Sequence, residues 1–473
     1  MANPLVASAD VVLHLADFVN NQQYLYFAPV STTWTKAWGR RPKTTRAITA
    51  HTTVPQLLQG FRGGLGQRGA VCDAAARMGR VDLLQSARAH GCPWPESLYH
   101  TAAAGGHVDV MEWARTEACP LEMDTCNVAA LAGHLRVVQW AHANGVPSDE
   151  KTCRMAARGG HLVILQWLRL KGCRWNETTC EEFARRGHLS ALQWVRANGC
   201  PWDESTCFAA ASGGHLDVLH WARTSGCRWN WKTCYAAASG GHLGVLQWAR
   251  LNGCPWDQDT CRAAAHGGFL EILQWAHENG CPWDEGTCRS AAGAGHLGVL
   301  QWAQSHGCPW CANTCSAAAL SGHLDIIEWA RENGCPWDTA TCKWAARGGH
   351  LHVLQWARAY GCPWVKGTCD WAAAGGHLEI LQWAHENGCP WDEMTSSMAA
   401  YGGHLDVLQW ARATGCPWNE ETCSVAAYGG HLGLLQWARA NGCPWDATTV
   451  VRALDSGHHD VGAWAVANGC PEL

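Results

Sequence analysis

A period of 27 residues constrains this chain more than any other feature. The words GGHLDVLQW recur along most of it, and the residue before the Leu or Val falls at Arg80, His107, His134 and onward in equal steps to His458. There are 15 such copies, with no insertion or deletion between Gly79 and Gly457. The unit can be written CPWDExTCxAAAxGGHLxVLQWARxNG. A fixed period between roughly 20 and 50 residues marks a solenoid, whose units bury their apolar faces only by stacking on neighbours. The period also explains a skewed composition of 31 Trp and 27 Cys against 6 Phe and 7 Tyr, because each copy counts the same residues again.

The spacing predicts two helices per copy and no strand. The first runs from about Asp203 through TCxAAAx to Ser212, with acidic residues at the positive end of its dipole. Gly213 and Gly214 then supply a cap and a tight turn. The second runs from about His215 to Thr224, and Leu216, Val218, Leu219, Trp221 and Ala222 give it a broad apolar face. It stops at Gly226, and the Pro that follows the next Cys in most copies prevents continuation. The Ala triplet lets the second helix approach the first closely. The expected fold is therefore all-α: a helical solenoid of about 15 helix-turn-helix repeats over 67–473, preceded by a degenerate capping repeat at 44–66 and a small helical segment at 1–43. Asp455, His459 and Gly462 depart from the repeat in the last copy, as expected of the other cap.

Gly214, His215, Leu216, Val218, Leu219, Trp221, Gly226 and Cys227, and their equivalents in every copy, make these units resemble the second half of the ankyrin repeat. TCxAAA resembles the first ankyrin helix, with Thr-Cys where that family prefers Thr-Pro-Leu-His. An ankyrin unit is usually about 33 residues against 27 here. The shortfall lies between the Gly-Cys and the first helix, where ankyrin repeats place a β-hairpin finger and this chain has only Cys-Pro-Trp-Asp-Glu. The resemblance implies ankyrin-like repeats without fingers, a Trp tucked between neighbours, and a non-catalytic role in protein–protein interaction.

Three residue types could carry chemistry instead. Of the 27 cysteines, 14 follow the Gly position and 12 follow the Thr position, with Cys311 outside both. Pairing as C-x6-C with a His would be needed for a metal, whereas zinc sites favour C-x2–4-C. Copies with Val146, Tyr99, Ser396 or Val450 lose a Cys with no visible compensation. Small buried thiols in a tight stack are the better account, and disulfides between successive copies are not expected. The 13 histidines of the GGH position are read as helix-start residues bonding a loop carbonyl of the adjacent copy. The tryptophans suit packing between repeats better than a platform for bases. GxSxG, HExxH, the Walker loop and a GxGxxG after a strand are all missing from the sequence, so no enzyme and no cofactor is expected. Metal buffering by the thiol array is the reading from a third class.

Comparison of the copies shows where specificity could sit. The residue after the TC cysteine and the one four positions on share a helix face and vary throughout. This row contains Arg154, Arg158, Glu181, Arg185, Phe208, Tyr235, Arg262, His266, Arg289, Lys343, Arg347, Asp370, Tyr401 and Tyr428, and it mixes charge with aromatics as protein-recognition surfaces do.

The first 43 residues stand apart from the array. An apolar helix containing Leu13 and Phe18, followed by Val30, Ser31 and Trp34 in VSTTW, resembles an F-box, although its Leu-Pro opening is replaced by Ser8-Ala9. That resemblance implies docking on a Skp1-like adaptor, with the solenoid as substrate-recognition subunit of an SCF-type ubiquitin ligase. The alternative is a cap on a plain ankyrin scaffold or host-interaction protein with no ubiquitin link. A net charge of −5 without blocks of like charge argues against a nucleic-acid or membrane partner. The N-terminus lacks the basic start of a signal peptide, no run of about 18 apolar residues occurs, and the cysteine count is odd. A monomer with reduced thiols in cytoplasm or nucleus is expected, with a protein partner the sequence does not name.

Overall fold

The computed structural model describes residues 68–95 and 97–471, with side chains from 71 onward. Leu13, Phe18, Val30, Ser31 and Trp34, and the segments 1–43 and 44–66, lie outside the described residues. The described chain is all-helical: 30 helices, two per copy, and no strand among the described residues. It divides into two compact units between Arg228 and Trp229. Each is a helical repeat solenoid.

The copy that starts at Asp338 shows how the repeated residues specify their shape. Asp338 is extended (φ −145°, ψ −169°), and its side chain accepts a hydrogen bond from the Ala340 N–H at 2.8 Å. It is thus the N-cap and not the first helical residue, which satisfies a donor the helix cannot pair. The first helix, Thr339–Gly348, ends in Gly349 at φ +82°. His350 turns the chain, and Leu351–Ala359 forms the second helix. That helix closes with Gly361 at φ +82° and a bond from the Cys362 N–H back to the Ala357 carbonyl at 2.9 Å. A left-handed residue at both helix ends explains the recurring glycines, since a Cβ is strained there. Among the described residues Ala118 alone takes this conformation without being glycine, at φ 57°.

Within the copy, Cys342, Ala345, Ala346, Val353, Leu354 and Ala357 are fully buried. Burial of each Val or Leu contributes on the order of 1.5–3 kcal/mol. The small residues of the first helix let its neighbours close in.

The cysteines pair inside a copy, 20 positions apart, and not as C-x6-C. Cys153 Sγ lies 3.4 Å from Cys173 Sγ. In most pairs the second thiol donates to the carbonyl of its own copy's N-cap, as Cys362 does to Asp338 at 3.3 Å. The hydrogen bond to Cys362, with burial, holds the Cys342 thiol protonated far above its ordinary range. Three of the copies that lose a cysteine are compensated after all: beside Val146, the Ser148 hydroxyl donates to Cys126 Sγ at 3.7 Å. The Ser396 hydroxyl lies 3.4 Å from Cys416 Sγ, and the Tyr99 hydroxyl donates to the Cys119 carbonyl at 3.4 Å.

Histidine fastens one copy to the next. The Nε2 of His350 donates to the Leu320 carbonyl at 3.1 Å, and His377, His404 and His431 do the same to Arg347, Ala374 and Tyr401. The acceptor is a C-terminal carbonyl of the preceding copy's first helix, left open by the end of that helix. The ring lies over the glycines: a Cβ on Gly403 would sit 2.6 Å from His431 Cε1.

The tryptophans form the opposite seam. Trp337 of the connecting link meets Trp356 of the second helix edge-on at 5.8 Å, and Arg331 of the preceding copy stacks on Trp337 at 4.5 Å. The same arrangement recurs at Trp364 with Arg358 and Trp383. These half-buried indoles pack between copies, as the sequence suggested.

Candidate recognition groove

The variable row divides in two once the copies are stacked. The residue after the TC cysteine faces the next copy. Asp370 is 8 % exposed and accepts a hydrogen bond from the Thr395 hydroxyl at 2.7 Å, while Ser397 and Ser424 are buried in the same place. Burial raises the Asp370 carboxyl above its ordinary range. Other members of this half engage their neighbours: Arg262 pairs with Asp284 and Asp259, and Glu181 with Arg185. Arg154, Phe208 and Lys343 are half-buried, Tyr235 meets Trp231 edge-on at 6.3 Å, and Arg289 is exposed. The residue four positions on points outward, so Arg158, His266, Arg347, Tyr401 and Tyr428 are exposed.

In the second unit some of these residues gather into a concave site. It crosses four first helices, α1 (Thr339–Gly348), α2 (Gly367–Ala374), α3 (Glu393–Tyr401) and α4 (Glu420–Tyr428). A cavity of about 260 Å³ lies among them. Arg347 of α1 and Trp371 and Ala374 of α2 form one side. Met394, Ser397, Met398, Tyr401 and the adjoining Gly402 come from α3, and Glu421 and Val425 from α4. The wall continues through stacked rings. Trp344 and Trp371 lie nearly parallel with centroids 5.8 Å apart, and Tyr401 and Tyr428 do so at 6.2 Å.

The charges at the rim are unequal. Glu421 pairs with Arg452 at 3.0 Å, and Lys366 with Asp392 at 2.6 Å. The Arg347 guanidinium lies over Trp371 at 4.5 Å and Trp344 at 5.3 Å, and forms no ion pair among the described residues. Its own carbonyl holds His377, which ties this rim to the stack.

The sequence row found Arg347, Tyr401 and Tyr428. It missed Trp344, Trp371, Met398 and Val425, which sit one position beyond the residue after the cysteine. The signal was present, because the first Ala of the triplet, as at Ala209, Ala236, Ala263 and Ala317, becomes Trp, Trp, Met and Val in these copies. Among the described residues no group of three or more His, Cys, Asp or Glu could hold a metal ion. No helix among them is long and apolar enough to cross a membrane.

Residues 369–412, which span α3, match the family model of ankyrin repeats in many copies. The crystal structure of the human ASB11 ankyrin repeat domain is 16 % identical over 39 % of this chain and 98 % of that one, with a TM-score of 0.32. That of the pentatricopeptide repeat protein PPR10 from maize is 14 % identical over 100 % of this chain and 92 % of that one, with a TM-score of 0.29. No curated protein matches the chain.

Proposed function

We propose that this chain is a protein-binding scaffold whose recognition surface is the groove across α1 to α4. One observation carries the reading: at a position that is Ala74, Ala209, Ala236, Ala263 and Ala317 in five other copies, four consecutive copies gather Trp344, Trp371, Met398 and Val425 beside exposed tyrosines. Contiguous aromatic surface rimmed by charge marks an interaction site. Trp, Tyr, Met and Arg are also the residue types enriched at protein interfaces. Ankyrin repeats, matched at 369–412, are interaction scaffolds, which supports the same role. Tyr401 and Tyr428 are 52 % and 47 % exposed, so their replacement by Ser leaves the core intact. Proteins captured from cell extract by the full chain should be lost from the Tyr401→Ser/Tyr428→Ser double variant. An unchanged set of captured proteins refutes the reading.

A finer proposal joins this scaffold to residues 1–43. The VSTTW segment supports docking on a Skp1-like adaptor, which would make the protein a substrate-recognition subunit of an SCF-type ubiquitin ligase. Capture of Skp1 and a cullin by the full chain, and not by a chain lacking 1–43, supports it. Capture of groove-dependent proteins with neither favours the plain scaffold.

A further inference from the structure

We propose that the cavity beside Trp371 and Tyr401 takes one bulky apolar side chain of a peptide segment, and that an adjoining carboxylate of that segment pairs with Arg347. This rests on the protein-binding reading above and gives it a ligand chemistry.

The size comes first. At about 260 Å³ the cavity falls just short of the roughly 300 Å³ at which sites for drug-sized ligands begin, and suits a single large side chain. It exists because position 374 is Ala where the adjoining copies carry Arg347 and Tyr401. Trp371 and Tyr401 give it rigid walls. Met394 and Met398 give it adaptable ones, because the unbranched thioether reshapes at little cost.

Charge then selects the neighbour of that anchor. Stacking on Trp371 orients the Arg347 guanidinium and leaves its N–H edge without a carboxylate among the described residues. A planar fork held in this way matches a carboxylate with two parallel hydrogen bonds. The other charged side chain that lines the cavity, Glu421, is already neutralised by Arg452, and Lys366 nearby by Asp392. Among the residues that line the hole, the uncompensated charge is therefore one cation. A single-stranded nucleic acid could also stack on these rings, but a backbone-tracking groove needs a row of cations. Here Glu393 and Glu420 occupy the first turns of α3 and α4.

The test is fluorescence anisotropy on the full chain. The probes are fluorescein-labelled Gly/Ser peptides with Asp-Trp, Lys-Trp or Asp-Ala at the centre, and a labelled oligouridine. Asp-Trp should bind about tenfold more tightly than the other two peptides, the step expected of one charge-assisted pair or one filled hole. Ala374→Phe should abolish binding by filling the cavity. Arg347→Glu should invert the preference to Lys-Trp, an outcome that misfolding does not produce. Equal binding of Asp-Trp and Asp-Ala, an uninverted preference in Arg347→Glu, binding of no peptide, or preference for oligouridine each overturns the proposal. If the peptides fail while Tyr401→Ser/Tyr428→Ser still loses captured proteins, the surface stands and this ligand falls. If both fail, both fall.

Discussion

Gly403→Ala tests whether histidine really locks the copies together. Gly403 and Gly388 have nearly the same backbone, at φ +75° and +76°. Only their surroundings differ. A Cβ on Gly388 meets nothing within 4 Å, whereas one on Gly403 would lie 2.6 Å from Cε1 and 2.7 Å from Nδ1 of His431. Both substitutions carry the left-handed penalty of about 1–2 kcal/mol. Gly403→Ala must also displace the imidazole. That forfeits the bond from Nε2 to the Tyr401 carbonyl, worth about 1 kcal/mol, and adds an overpacking cost of about 1–3 kcal/mol. We expect roughly 1–2 kcal/mol for Gly388→Ala and about 3–6 kcal/mol for Gly403→Ala. Repeat arrays do not unfold as a single two-state system, so the measurement is hydrogen exchange across 393–440, supported by urea titration of the full chain. In the cycle with His431→Ala, the extra cost of Gly403→Ala should vanish once the ring is gone. Equal costs at Gly388 and Gly403, or no coupling to His431, would refute the lock.

Two further outcomes follow from single residues. Because burial raises the Asp370 carboxyl, folding disfavours its ionised form; the cost is absent where the group is protonated in both states, below about pH 3.8, and complete above its raised value. Asp370→Asn, which keeps an acceptor for Thr395, should therefore raise the Tm at pH 7, and the gain should fade on acidification toward pH 3; a gain equal at both pH values, or none, contradicts the assignment. Ala118→Gly should relieve the strain at φ 57° and stabilise its copy by about 0.5–1 kcal/mol, read as slower exchange over 108–119.

Much of the fold was legible because each repeated residue does one local job. The glycines, the small first-helix residues and the histidine bond to a neighbouring copy could all be read from GGH and AAA. The Asp could be read from the sequence as helix start or as N-cap, since an acid suits both, and the extended backbone at Asp338 decides for the cap. The thiol partners were missed because C-x6-C joins adjacent words of the text, while folding back two helices brings positions 20 apart into contact. The groove was half legible. A helix wheel shows that positions four apart share a face, but not which part of that face the next copy covers. Thr395 covers Asp370, whereas Tyr401, stacked on Tyr428, stays half exposed.

The histidine bond has a consequence for how such a gene can change. Imidazoles such as that of His377 reach back 30 positions, and thiol pairs such as Cys153 and Cys173 span 20. Within either unit, these donors therefore find their acceptors in their own copy or the one beside it. Unequal crossing-over that adds or removes 27 residues leaves each ring facing a helix end of the same kind and each thiol its mate. Recombination can thus lengthen or shorten the array in whole copies, and a foldable product emerges without any second mutation to repair the joint.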